Sequence, residues 1–258
     1  MALRVEGSTD FHRTYPRGGP IPAETAYRYL RHWEKRIAAR PASVASAGDI
    51  PPTICLSRRI GAGAREIADL LAKKMNYRIA DRMIIDTIAR DSDVTRKTIA
   101  YFDERYPGRV SELALFLFGE KSSVMSNYAR SLISVVFALA ESAPTIFIGR
   151  GAHLILPRER VLAVCLACLR SYRIQQLMET RGTTKDAAEK HTKELDAQQR
   201  DFFLKVFGKK AITFRDFDFV INCDQIERPA WVAEIVECAF NEKFPPIERP
   251  KWQATDNV

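Results

Sequence analysis

The chain has 258 residues, with 40 Lys and Arg against 32 Asp and Glu, a net charge of +8 and a pI near 9.3. At 46% hydrophobic and 28% charged it has the apolar material for a core, which excludes a collagenous, low-complexity or wholly disordered chain. Its longest apolar runs, 132–140 and 161–169, fall well short of the roughly 18 residues a spanning helix needs.

The first residues, MALRVEGSTDFHRTYPRGG, hold no apolar run and mix acids with bases. They read as neither a signal nor a transit peptide, so the expected location is the cytoplasm. Residues 1–50 read as an N-terminal extension with one helix: from Ala23 to Arg40, Tyr27, Leu30, Trp33 and Ile37 recur at spacings of three and four. Prolines and glycines before the helix, and PASVASAGDIPP after it, have linker composition. Packing on the main domain is favoured over a partner contact or a solvated arm.

From residue 51 short apolar runs alternate with amphipathic helices. TICLS (53–57), YRIA (77–80), TIFIG (145–149), VLAVCLA (161–167) and FVINC (219–223) predict five strands. Helices are predicted at 65–75, through MIIDTIA, over 95–140, at about 170–180 and 184–205, and at about 228–242. Strands alternating with helices imply an α/β fold with a parallel sheet covered on both faces. The main domain is assigned to 51–243, with a helical insert at about 91–143 and a helical lid at about 181–215. Residues 244–258 are expected to be a flexible tail.

The five cysteines (55, 165, 168, 223, 238) are an odd set in a chain too long for a disulfide mini-scaffold. Cys165 and Cys168 form a CxxC without a second pair, and read as small hydrophobes rather than zinc ligands. The histidines at 12, 32, 153 and 191 show no ligand spacing and read as ordinary surface or packing residues. The basic excess is local: residues 51–90 carry +4 and residues 91–258 only +1. A basic surface could serve a nucleic acid, but a compact excess in one segment also suits a phosphate-bearing small molecule.

The segment ICLSRRIGAGAREIADLL carries the strongest signal. A buried strand, a glycine-containing loop and a helix N-terminus in succession bring backbone N–H groups to one point, an anion cradle. Ser57, Gly61, Ala62, Gly63, Ala64, Arg65 and Glu66 are the candidate phosphate-binding residues. The loop departs from GxxxxGK[ST], since alanine and arginine stand where lysine and hydroxyl would be. A plain tight turn is the alternative, and the neighbouring Arg58, Arg59 and Arg65 favour the cradle. Arg58 can supply the charge of the absent lysine. Arg150, between two glycines after the third predicted strand, lies at the end where parallel sheets bind ligands. Most charges of the helical pair 171–206 are interleaved at pairing distance and form a solvated face. The subset facing the cradle would act in a lid.

ICLSRRIGAGAREIADLLAKKMNYRIADRMII, IFIGRGAHLIL, CLRSYRIQQLM and ELDAQQRDFFLKVFGKKAITFRDFDFVINCD, in that order over about residues 52–240, resemble the cytidylate kinase-like family. The resemblance implies a three-layer P-loop fold with a five-stranded parallel sheet, a helical insert that binds a nucleoside monophosphate, and a helical lid. It implies ATP and Mg²⁺ as cofactors and small-molecule nucleotides as partners, with no membrane, nucleic acid disfavoured and oligomeric state open. It makes the loop without lysine a family trait and implies that it holds ATP phosphates. It aligns Asp81 and Arg150 with acceptor-binding positions, and Arg173 with an arginine opening the helix after the fourth strand. Arg58, Arg150, Arg173 and Arg200 become the candidate catalytic residues.

Gly151 stands where an aspartate holds the sugar in cytidylate kinases, and Gln176 and Gln199 where arginine is common. The metal ligands are not assigned; Ser57 and Glu66 are the nearest guesses. ATP-dependent phosphorylation of a nucleoside monophosphate, CMP or dCMP favoured, is therefore expected. The alternative is a catalytically weak nucleotide-binding regulator of the same fold. A nucleic-acid-binding protein would rest on the basic pI alone.

Overall fold

The computed structural model describes residues 22–38, 50–59, 61–106, 108, 126–208, 212–226 and 228–245. The predicted tail from 246 onward, most of the N-terminal extension and residues 109–125 of the insert lie outside them.

Five strands form one parallel sheet: β1 (Thr53–Arg58), β2 (Arg78–Asp81), β3 (Thr145–Ile148), β4 (Val161–Ala167) and β5 (Phe219–Asn222). Their order is β2-β3-β1-β4-β5. β1 lies at the centre, with Leu56 opposite Ile148 on one side and Val164 on the other. The central strands are continuous apolar runs because both faces are covered.

Alternate side chains of β1 and β4 enter two cores. Cys55, Phe147, Val161 and Ala163 face one, which the helices α1 (Pro22–Ala38), α3 (Arg82–Arg90), α4 (Ser92–Arg105) and α5 (Asn127–Ser142) share. Ile54, Leu56, Leu162 and Val164 face the other, closed by α2 (Ala64–Met75) and α9 (Pro229–Lys243). In chain order between α5 and α9 come the one-turn α6 (Ala152–Ile155), α7 (Arg170–Arg181) and α8 (Lys185–Phe207), and α6 and the end of α8 pack into the first core. Each fully buried Leu, Ile or Phe contributes roughly 1.5–3 kcal/mol by removal from water, so the two cores together hold the sheet.

α1 joins the first core. Ala26, Leu30 and Trp33 are buried, and Tyr29 donates a hydrogen bond from its hydroxyl to the Ile79 carbonyl at 3.0 Å. The phase of the helix differs from the expected one: Tyr27 is 49% exposed and Tyr29 packs inward in its place. The side chain of Ile37 lies outside the described residues. Trp33 meets Tyr101 edge-on at 5.5 Å, and Glu34 pairs with Lys97 at 2.8 Å. α4 is tied to α5 by the buried Arg105–Glu141 pair, to which the Tyr101 hydroxyl donates at 3.1 Å. No helix among the described residues is long and apolar enough to cross a membrane.

Candidate phosphate-transfer site

The C-terminal ends of β1 to β4 deliver the candidate residues to one edge of the sheet. β1 ends at Ser57 and Arg58, and the chain turns through Gly61 (φ 87) and Gly63 (φ 69) into α2. Gly63 is the N-cap of α2 and offers no side chain, so the first amides of the helix are uncapped. A Cβ built on Gly63 would meet nothing within 4 Å. A Cβ on Gly61 would stand 2.9 Å from the Cβ of Arg173 and 3.0 Å from its Cα, which requires glycine there. Open space over uncapped amides, with a guanidinium at the strand end, fits a polyphosphate.

The arginines differ in their engagement. Arg58 is half-buried and makes no side-chain hydrogen bond or ion pair with the described residues. Burial pushes its pKa down, while the charge of Asp81 favours the cation and that of Arg82 opposes it. Arg65 hydrogen-bonds Asp69 at 3.0 Å and Asp81 at 3.2 Å, so its guanidinium is held by carboxylates and its contribution to a cradle is its backbone. Asp81 also caps α3, its Oδ1 accepting from the amides of Met83 and Ile84 at 3.0 and 3.1 Å. Glu66 is exposed in the first turn of α2.

Arg150 follows β3 at φ 53 between Gly149 (φ 81) and Gly151 (φ 69), three successive left-handed residues. A non-glycine residue held there marks strain that neighbouring structure sustains, and such strain concentrates at functional sites. Its side chain is 10% exposed, lies 4.3 Å from the centre of the Phe202 ring and pairs with Asp86. Asp86 also accepts from the Tyr128 hydroxyl at 3.0 Å and has Arg82 at 3.6 Å. Burial and the charge of Asp86 push the Tyr128 phenol up to about 12.

Arg173 is 2% exposed and grips Asp196 through both terminal nitrogens at 2.9 and 2.8 Å. Asp196, expected on a solvated face, therefore fastens α8 to α7, with Arg59 at 3.6 Å on its other side. Burial pushes the Asp196 carboxyl up, but the hydrogen bonds and charge of Arg173, with the charges of Arg59 and Arg200, hold it below its ordinary value. Gln199 donates to the Arg58 carbonyl at 3.1 Å, a second clasp between α8 and β1, while Gln176 reaches only Glu179. Arg200 is exposed one residue on, at a groove of about 430 Å³ bounded by Ser57, Cys165, Gln199, Phe203, Phe217 and their neighbours.

Burial pushes the Cys168 thiol up to about 11 and that of Cys223 to about 12, so neither is an activated nucleophile. No group of three His, Cys, Asp or Glu side chains among the described residues could hold a metal ion. Ser57 and Glu66 are the oxygen donors flanking the loop in sequence. That suits a Mg²⁺ carried mainly by phosphates and water, and no dedicated protein cage. Asp86, Tyr128 and Phe202 are the site residues that sequence reasoning passed over, and Gln199, singled out there only as an absent arginine, is a clasp to β1. The one signal for them is the lone acid at Asp86 among the isoleucines of α3.

The sheet, the uncapped loop-to-helix turn and the arginines at its mouth define a P-loop-type α/β protein. The cytidylate kinase-like family model matches residues 53–225, and the chain belongs to that family. No curated protein matches it in sequence. An uncharacterized protein from Eubacterium ventriosum has a similar structure, at 18% identity and TM-score 0.53, over 72% of this chain and 98% of that one. Shikimate kinase from Bacteroides thetaiotaomicron also matches, at 18% identity and TM-score 0.37, over 74% of this chain and 96% of that one. Shikimate kinase from Acinetobacter baumannii does so at 17% identity and TM-score 0.39, over 76% and 97%. Family and site together support phosphoryl transfer to a nucleotide or other small molecule in general.

Proposed function

We propose that the chain transfers the γ-phosphoryl group of ATP to a nucleoside monophosphate, CMP or dCMP by family resemblance. The observation that carries this reading is Arg58, a half-buried guanidinium at the end of β1 that makes no hydrogen bond or ion pair with the described residues and feels the charges of Asp81 and Arg82. An enclosed cation without a directly paired counter-ion is costly by itself and useful to an anionic ligand.

In the reaction an oxygen of the acceptor phosphate attacks the γ-phosphorus and the bond to the β,γ-bridging oxygen breaks. ADP and a nucleoside diphosphate are formed. The attacking oxygen is already anionic, so no side-chain base is required. Bound Mg²⁺ would supply charge neutralisation between the outer phosphates. The uncapped amides of α2 hold the donor phosphates, Arg58 stands between donor and acceptor, and Arg150 orients the acceptor. Arg200 brings charge from the lid, and Arg173, through Asp196, holds the lid in place.

The test is ADP release with ATP and Mg²⁺ against CMP, dCMP, UMP, AMP and GMP, beside an Arg150→Ala control. Turnover with one acceptor that vanishes in the control supports the reading. A second reading, a nucleotide-binding regulator with little turnover, is favoured by Arg173 being neutralised by Asp196 and by glutamine at 176 and 199. Silence with every acceptor, together with calorimetric binding of ATP or CMP, selects it.

A further inference from the structure

We propose that Asp86 is a built-in counter-anion of the acceptor site: it neutralises Arg150 while the site is empty and yields Arg150 to the anionic group of an incoming phosphate monoester. The inference rests on the phosphoryl-transfer reading for the class of ligand, and on geometry for the exchange.

Asp86 is the only acid of α3 and lies among Ile84, Ile85, Ile88 and Ala89, all buried. Its side chain is 13% exposed. A carboxylate is costly there unless both oxygens are satisfied, and both are. Oδ1 accepts from Tyr128, and Oδ2 takes Arg150 with Arg82 at 3.6 Å. Arg150 is satisfied on one side alone. Its terminal Nη2 has Asp86, its face lies on Phe202, and its Nε is buried without an acceptor.

Buried donors are as a rule hydrogen-bonded, so an orphaned Nε turned to the acceptor side is suited to a ligand oxygen. The Nε and Nη2 of a guanidinium form one edge that a two-oxygen anion grips as a pair. Asp86 uses half of that edge. A phosphate oxygen pair can use all of it, provided Asp86 lets go.

The charges agree. Arg58, Arg82 and Arg150 converge on this side, while Asp81 is committed to Arg65 and to the α3 amides. Among the described residues, Asp86 is thus the carboxylate there that competes with a ligand for Arg150. Because Tyr128 opens α5, Arg150 follows β3 and Phe202 lies on α8, the exchange would be felt by insert, sheet and lid together.

The test follows the Arg150 Nε–H resonance of the full chain by ¹⁵N NMR, assigned by its loss in Arg150→Lys, during titration with inorganic phosphate and then CMP. In the unaltered protein both ligands should shift it. An unmoved resonance at saturation overturns the proposal without relying on any other variant. Asp86→Asn keeps the shape and an oxygen for Tyr128, and should lower the phosphate dissociation constant read at this resonance about tenfold, the low end of coupling for close charge pairs. An unchanged or raised constant overturns the exchange and makes Asp86 a structural or ligand-holding group. The ADP-release assay answers separately. An active chain whose Asp86→Asn form binds no tighter keeps the enzyme and loses the counter-anion, and a silent chain that binds tighter does the reverse.

Discussion

A methyl group on Gly151 would stand 2.4 Å from the Cε2 atom of Phe207, a ring with no exposed surface. The turn after β3 and the last turn of α8 therefore touch at a point where only hydrogen fits. Gly151→Asp would not add a sugar-binding carboxylate; it would push α8 off the first core. Gly151→Ala should cost about 1–2 kcal/mol from the left-handed backbone and about 1–3 kcal/mol more from overpacking. Thermal unfolding checks this. In a Phe207→Ala background only the backbone share should remain, so equal losses in both backgrounds would refute the contact.

Arg58 separates activity from stability. Arg58→Met keeps the side-chain length and removes an enclosed charge that has no hydrogen-bond or ion-pair partner among the described residues. The midpoint of thermal unfolding should stay level or rise, while turnover falls about 10²–10³-fold, the scale for removing one preorganised stabilising group. A large fall in stability would show that the guanidinium holds the fold rather than a ligand.

Asp196 sets an acid limit on the lid. Its folded carboxyl titrates below the ordinary value near 3.9, so its stabilisation is complete above that value and is lost as pH falls through the lower folded value. Acid unfolding of Asp196→Asn should lose this part of the slope below about pH 4. At neutral pH, Asp196→Ala leaves Arg173 buried and uncompensated, a loss of about 3–5 kcal/mol. Identical acid slopes in the unaltered chain and in Asp196→Asn would exclude the linkage.

Trp33 decides whether α1 belongs to the body. It is 2% exposed against Tyr101, and Leu30 beside it is buried in the first core. Trp33→Ala should cost about 3–5 kcal/mol. A chain starting at residue 50 should aggregate or lose cooperative unfolding. A soluble, cooperatively folded chain of that kind would make α1 an accessory.

Much of the fold was legible because parallel strands buried on both faces announce themselves as short apolar runs, as in TIFI and VLAVCLA. The glycine turn before α2 was legible as well, since strand, loop and helix are contiguous. The Asp86 cluster was not. Tyr128, Arg150 and Phe202 come to it from up to 116 residues away, and no local pattern encodes a contact made by topology. The α1 phase escaped for a different reason: Tyr27 and Tyr29 are both amphipathic, and periodicity alone does not say which aromatic turns inward. Gln199 looked like a missing charge, whereas its amide is a hydrogen-bond donor to the Arg58 carbonyl.

The central place of β1 constrains how the protein is born. Its two neighbours, β3 and β4, begin at Thr145 and Val161, so a nascent chain that has emerged only to Ala143 carries its middle strand with both edges bare. Bare edges recruit other chains, and pairings this far apart in sequence close slowly. Protection arrives when residues 145–167 leave the ribosome and β1 gains a partner on each side. Until then α1 to α5 have no complete sheet to pack on, and interrupted translation products ending before β4 are the species most exposed to misassembly and most in need of a holding chaperone.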